Sequence, residues 1–273
     1  MTVLRHTLYS LRVQIGSYGL GIGLYAALIV LMYPYLKDTF ADLELPEGYA
    51  AFFGQEGLDF SDARLYLTIE LLTWIPLIAA IYAVVASTGL FAGDEQRGTL
   101  ELLLSQPLSR TRLFVERVAG LVIGTLVISV VGAIGIAVPA LFVDLGDVAP
   151  LLLAGAMFSL LPLMLACAGL GLLVAAVAPS RAAAGGIVAA ATVVVFLLNS
   201  ISNLNDSLEP LHYMSPFYYA DSNVVLTQGP DPWHVIVLLA AFVVLTALAQ
   251  RAFVRREIGG TRCQLRALLA AGG

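Results

Sequence analysis

Six long apolar runs, separated by short polar stretches, set the pattern of this 273-residue chain. They fall near residues 15–34, 70–91, 118–142, 151–177, 183–202 and 233–250. Each is close to or above the roughly 20 helical residues that carry a backbone through a hydrocarbon core. Almost no polar face persists within them, as a helix packed in a soluble fold would need. The third and fourth runs are long, which predicts tilting or kinking. Pro76, Pro139 and Pro162 mark plausible bends, since membrane helices tolerate proline. Ahead of the first run, Leu4, Leu8 and Leu11 recur on one helical face and Arg5 and Arg12 on another. That pattern predicts an amphipathic helix at the membrane interface. The expected architecture is an all-α integral membrane protein with one membrane domain. Residues 1–14 would form the interfacial helix, 15–250 a core of six transmembrane helices, and 251–273 a basic tail.

Composition supports the bilayer as solvent. The chain is 59% hydrophobic and 12% charged, with a mean hydropathy of +0.90. Soluble domains carry about twice that share of charge. The net charge of −5 is acidic overall and gives no reason to expect nucleic-acid binding. More telling is how the charges are sorted. Arg5, Arg12, Arg97, Arg110, Arg112, Arg117, Arg181, Arg251, Arg255, Arg256, Arg262 and Arg266 all fall on one side of the six-span layout, leaving Lys37 and Arg64 on the other. Basic flanks stay in the cytoplasm, which predicts that both termini are cytoplasmic in a multi-pass cell-membrane protein. An even number of spans agrees. The first apolar run is too long for a signal-peptide core, so a cleaved leader is not expected. The basic tail is suited to the anionic lipids of the inner leaflet. Tyr213, Phe217, Tyr218, Tyr219 and Trp233 are candidate interfacial anchors on the opposite side.

Catalytic patterns are sparse. His6, His212 and His234 are scattered over both sides, and Cys167 and Cys263 are not expected to meet. Asp38 and Asp42 have a spacing that suits Mg²⁺ on one helical face, but a solvated acidic loop is the simpler reading. Glu70 falls at the outer end of the second run, and no ionisable residue is placed clearly at mid-membrane, which argues against a proton relay. Asn199, Ser200, Ser202 and Asn203 form a polar patch near the outer end of the fifth run. They are candidate passage-lining residues, and equally candidates for satisfying neighbouring helices. Gly19, Gly21, Gly23, Gly120, Gly124, Gly169 and Gly171 permit close helix approach without naming the partner helix. A P-loop needs a lysine after its glycines. The only lysine is Lys37, on the outer side, so ATP would have to be bound by another chain.

The most patterned polar segment is GDEQRGTLELLLSQPLSR, residues 93–110. Leu100, Leu103 and Leu104 cluster on one helical face, with Arg97 and Glu101 paired four apart on the other. Pro107 stops the run and Ser109 is placed to cap the next helix. The physics fits a lipid-facing surface helix and a docking knob for a soluble partner equally well.

The segment resembles the first cytoplasmic loop of the type-2 ABC transporter permeases. The matching positions are Glu95, Gly98, Thr99, Glu101, Leu103, Leu104, Pro107, Ser109 and Arg110, followed by Arg117, where the family more often has lysine. The six-span layout, the leading amphipathic helix and Ser215-Pro216-Phe217 after the fifth span add to the likeness. The resemblance implies a permease subunit working as an exporter, in which Glu95 to Arg110 form the ATPase-coupling element and residues 1–14 an elbow helix. It implies a cytoplasmic ABC ATPase dimer, which binds ATP and Mg²⁺, and a second permease chain, identical or different. The chain itself would bind no cofactor and catalyse nothing. Two other classes remain open at this point: a membrane scaffold or maturation subunit, and an ATP-independent secondary carrier.

Overall fold

The computed structural model describes residues 3–40, 62–96, 109–178, 180–202, 213–220, 225 and 231–255, and side chains throughout these except at 38–40 and 91–96. Among them the architecture is all-helical. In chain order the elements are α1 (Val3–Phe40), α2 (Ala63–Leu67), a π-helical turn (Thr68–Leu72), α3 (Trp74–Gln96), α4 (Arg110–Ala140), α5 (Pro150–Phe158), α6 (Leu160–Val177), α7 (Arg181–Ser202), a 3₁₀ turn (Tyr218–Ala220) and α8 (Pro232–Arg255). They make six units long and apolar enough to cross a membrane. The second unit joins α2, the π turn and α3, and the fourth joins α5 and α6.

Two of the three prolines interrupt their helices in the same way. Proline cannot donate to the carbonyl four residues back, and its ring crowds that carbonyl. For Pro76 that residue is Leu72, the last of the π turn. The chain inserts an extra residue there, with the Thr73 amide and hydroxyl both donating to the Thr68 carbonyl at 3.0 Å. For Pro162 it is Phe158, the last residue of α5. The break at Ser159 is closed by its hydroxyl, which donates to the Ala156 carbonyl at 2.7 Å. Pro139 lies in the final turn of α4 and marks its end rather than a bend.

Residues 3–14 are not set apart as a separate element. They run without a break into the first span, and the whole of α1 is 38 residues long. The reason is local. No proline occurs before Pro34, and a buried stripe of Val3, Thr7, Leu11, Ile22, Ala26 and Val30 continues along one face. Val3 and Thr7, at the very start, are as buried as positions deep in the span. Leu4 and Leu8 are half-buried beside them, and Arg5 and Arg12 are exposed.

That stripe meets α4 in a long parallel seam. Gly120 faces Thr7, Gly124 faces Ile15, Gly132 faces Ile22 and Gly135 faces the backbone of Gly23. A β-carbon at Gly120 would approach the Thr7 methyl to 2.7 Å, and one at Gly124 the Ile15 Cδ1 to 2.8 Å. At Gly135 it would overlap the Gly23 backbone itself, so only a glycine fits. Small residues of this kind let membrane helices gain dispersion contacts where no hydrophobic drive exists between them. The partner that Gly120 and Gly124 could not name from sequence is therefore α1. In the same way Gly169 faces Phe242 and Leu245 of α8, and Gly171 faces Ser87 of α3.

The fourth unit is the centre of the bundle. Its most apolar window is 72% buried, against 11% for α8, which presents most of its surface outward. Hydroxyls inside the spans turn back on their own helices. Thr125 donates to Leu121, Ser129 to Thr125, Thr88 to Val84 and Thr192 to Val188. Each such bond satisfies a polar group that hydrocarbon could not.

Replacing Gly135 by leucine is expected to destabilise the detergent-purified chain by about 3 kcal/mol, the upper end for overpacked cores, and so to lower its thermal unfolding midpoint sharply. Gly155→Ala and Gly186→Ala, where an added β-carbon meets nothing within 4 Å, are expected to leave it unchanged or raise it, because alanine is the better helix former.

Candidate functional site

One end of the bundle gathers the segments that flank the 93–110 stretch. The Leu4 amide donates to Glu116 Oε2 at 3.1 Å, tying the start of α1 to the start of α4. Glu116 Oε1 also accepts from Arg112 Nε at 2.8 Å, one helical turn away. Arg110 Nη1 donates to the Val254 carbonyl at 3.3 Å, and the Phe114 and Phe253 rings lie 5.8 Å apart, so the end of α8 meets the start of α4. Segments from α1, α3, α4, α7 and α8 thus share one face of the molecule.

The residues expected to couple to an ATPase divide between described and undescribed parts. Glu95 lies in the last turn of α3. Gly98, Thr99, Glu101, Leu103, Leu104 and Pro107 lie outside the described residues. Ser109 is the N-cap of α4, in extended conformation, with its hydroxyl accepting from the Arg112 amide at 3.2 Å. Such a cap is worth about 1 kcal/mol to the helix it starts. Arg110 follows it into the first turn.

Arg117 is a different matter from the other basic residues nearby. It is only 2% exposed and its Nη1 donates to the Leu90 carbonyl near the end of the second span. By residue type alone it stands no higher than Arg110 and Arg112. The signal was periodicity: Leu113, Arg117, Leu121 and Gly124 fall on one stripe, and all four are buried. Glu116, one residue and about 100° away on the helix, points with Arg112 to the outside. Beside Arg117 lies a small polar cavity of about 90 Å³, lined by Thr7, Ser10 and Gln14 of α1, Gly89 of α3 and Arg181 of α7.

The candidate passage-lining residues sit at the far end of α7. The Ser200 hydroxyl donates to the Phe196 carbonyl at 3.3 Å and the Ser202 hydroxyl to the Asn199 carbonyl at 2.8 Å. Both serines are buried, whereas Ile187, Val194, Leu198 and Ile201 are exposed. The Asn199 side-chain oxygen is buried and, among the described residues, accepts no hydrogen bond. Asn203 lies outside the described residues. The patch therefore faces the protein, held together by bonds within its own helix.

Sequence reasoning missed a larger apolar cavity of about 420 Å³ between the fourth, fifth and sixth spans. Cys167, Thr192 and Leu238 form its walls, and Tyr213, Phe217 and Tyr219 its aromatic cover. Of the expected interfacial anchors, Tyr213 is 50% exposed and Trp233 65%. Tyr218 and Tyr219 instead pack their rings 5.3 and 5.2 Å from His234. Only the aromatic content of the loop pointed this way, since three spans distant in sequence build the walls. Among the described residues no three His, Cys, Asp or Glu side chains come together as a metal site would need.

A helical bundle of six units long and apolar enough to cross a membrane, with apolar volume between its helices, defines the class of polytopic membrane proteins. Residues 7–254 match the family described as multidrug efflux system permease Rv1217c, C-terminal domain, and the chain belongs to that family. No curated protein matches the chain.

Arg117→Ala is expected to lower the unfolding midpoint, because the buried Leu90 carbonyl loses its donor at a cost of about 1–3 kcal/mol. Arg117→Lys should recover part of the loss, and Arg112→Ala, at an exposed pair, should leave the midpoint unchanged. Thermal unfolding of the three variants in one detergent makes the comparison.

Proposed function

We propose that this chain is the membrane subunit of an ATP-driven efflux complex of the type-2 ABC class, working as an exporter in the cell membrane. The observation that carries the proposal is its membership of an efflux-permease family across 7–254. The patterned connection between the second and third spans adds to it. A permease of this kind needs a docking element that is joined stiffly to its spans. Here α3 runs into the connection as a continuous helix and Ser109 restarts α4 directly after it. The residues in between that would contact the ATPase are Gly98, Thr99, Glu101, Leu103, Leu104 and Pro107, with Glu95, Ser109 and Arg110 at the borders.

In this reading two cytoplasmic ATPase chains bind ATP and Mg²⁺, and a second permease chain, identical or different, completes the pathway. Both termini face the cytoplasm, because the arginine-rich flanks lie on the side that is retained there. The first turns of α1 act as the elbow, resting on α4 through Leu4 and Glu116 and touching inner-leaflet lipid with Arg5 and Arg12. The chain is not an enzyme in its own right. Its contribution is the difference in contact energy between two conformations, since a ligand or partner shifts an equilibrium only by binding the two states unequally.

The test is a mild-detergent pull-down of the tagged chain from its host. A cytoplasmic protein with a P-loop should co-purify at one copy per permease. Glu101→Arg and Leu103→Asp should abolish that association while the chain still inserts. Undiminished ATPase recovery with both variants overturns the docking assignment, and a chain that emerges alone under several gentle conditions overturns the ABC reading.

A further inference from the structure

The apolar cavity between the fourth, fifth and sixth spans owes its room to small side chains. Each of the three helices turns one face to it, and each sets an alanine there: Ala166 of α6, Ala191 of α7 and Ala241 of α8. Elsewhere in the bundle small residues bring helices into contact. At Gly169 an added β-carbon would stand 3.3 Å from the Phe242 Cα, so α6 and α8 touch there. Three residues earlier, at Ala166, the same helix borders open volume of about 420 Å³ instead. Ala241 lies nine residues into α8 from Pro232, which is about 14 Å at 1.5 Å per residue. The cavity therefore reaches roughly half-way through a hydrocarbon core of about 30 Å.

The chemistry of the walls limits what can fill it. Among the described residues no Asp, Glu, Lys, Arg or His lines the cavity. The Thr192 hydroxyl donates to the Val188 carbonyl at 2.8 Å, and the Tyr219 hydroxyl to the Tyr213 carbonyl at 3.0 Å, so both have committed their protons to backbone. Water finds little to hold it in such a space: a protein cavity of about 150 Å³ lined by apolar side chains stays dry and takes up benzene. The larger volume here has room for two or three fused rings, and it falls within the roughly 300–1,000 Å³ of small-molecule pockets. The cover is already in place. The Ser215 hydroxyl accepts from the Phe217 amide at 3.2 Å, and the Phe217 ring meets that of Phe196 edge-on at 5.3 Å. Pro216 and Phe217 both border the cavity, which gives the Ser215-Pro216-Phe217 motif a place in its wall. This cover lies across the end where a phospholipid would set its headgroup, so an acyl chain descending from there meets rings rather than an opening. A compact ring system moving sideways within the bilayer does not need that route. Charge complementarity then selects a neutral molecule, because no wall residue balances an ion.

We propose that this cavity is a binding site for neutral, fused-ring aromatic molecules, complete within a single chain. That such molecules are cargo rests on the efflux-permease reading; that they bind does not. The test uses the full-length chain in lipid nanodiscs, with whatever partner co-purifies and no ATP. The probe is iodophenyl trifluoromethyl diazirine, a neutral aromatic photolabel, with adducts mapped by peptide mass. Adducts are expected on Cys167 and the 213–219 segment, and also on Val243 and Val244, which are exposed on α8 and serve as a lipid-facing reference. Phenanthrene at roughly ten times its Kd should cut the cavity adducts about tenfold and leave the reference unchanged. N-methylphenanthridinium, of the same shape with a positive charge, should protect far less well, because an unpaired charge is costly among apolar walls. Ala241→Trp fills the space from α8 and should remove the protectable adducts. Ala191→Trp fills it from α7 and gives a second route if Ala241→Trp does not elute as a single species. Cavity adducts that phenanthrene does not displace would mean that a lipid tail occupies the space, and no cavity adducts that a second chain covers it. Either result overturns the site, as does equal protection by the cation. Protection in a chain that recovers no ATPase would retain the site and overturn only the transport assignment.

Discussion

The contact of Gly23 with Gly135 is the constraint from which the rest of the molecule is built. Two helices in lipid gain little by merely being apolar, because lipid tails are apolar too. They associate where their backbones can approach, and here two glycines meet with no room for a β-carbon. The register of α1 against α4 then follows. It seats Thr7 on Gly120 and Ile15 on Gly124, and it brings the Leu4 amide to Glu116. The start of α4 also carries Arg117 to the end of the second span and Phe114 to the end of α8. One close approach in mid-bundle therefore fixes the geometry of the end where the patterned connection begins and finishes.

Much of this was legible in the sequence, and the reasons differ by feature. The six spans were visible because burial in lipid demands long apolar runs whatever packs against them. Their helical ends then extend past the apolar limits, as for Val3–Phe40 against a run of 15–34. Pro76 and Pro162 coincide with interruptions because proline acts on its own helix. Ser109 capped α4 as its position implied, since a cap too is local chemistry. What was illegible depends on partners far along the chain. A glycine pair names a seam only when the second helix is known, and nothing in the sequence sets Gly132 and Gly135 apart from the chain's other glycines. The leading helix read as amphipathic, which is correct, but periodicity could not say whether its apolar face meets lipid or α4. Arg117 shares its residue type with the surface arginines beside it, and only its phase on the helix separates it from them. The aromatic-capped cavity needed three spans and a loop to exist.

The hydroxyls of the spans mostly follow one rule. Most serine and threonine hydroxyls in the described spans bond to carbonyls of their own helix, including Ser200 and Ser202. They therefore require nothing of neighbouring spans, which are left free to pack by shape. The exceptions stand out against that background: Arg117 reaches across to another span, and among the described residues the side-chain oxygens of Gln14, Tyr82, Asn199 and Thr246 are buried without a hydrogen-bond partner. In a bilayer an unsatisfied group of this kind is retained only against a steady cost.

The seam between α1 and α4 also imposes an order of events during synthesis. Glu116 follows Leu4 by 112 residues, so at translation rates of 5–20 residues per second the nascent α1 waits roughly 5–20 s for its partner to be made. During that interval its glycine-bearing face meets lipid or the insertion machinery instead of α4. The helix is well suited to wait, because only 28% of its most apolar window is covered even in the finished bundle. A ribosome that stalled between the first and third spans would leave α1 stably inserted but unseated, with the face meant for α4 open to any other helix carrying small residues.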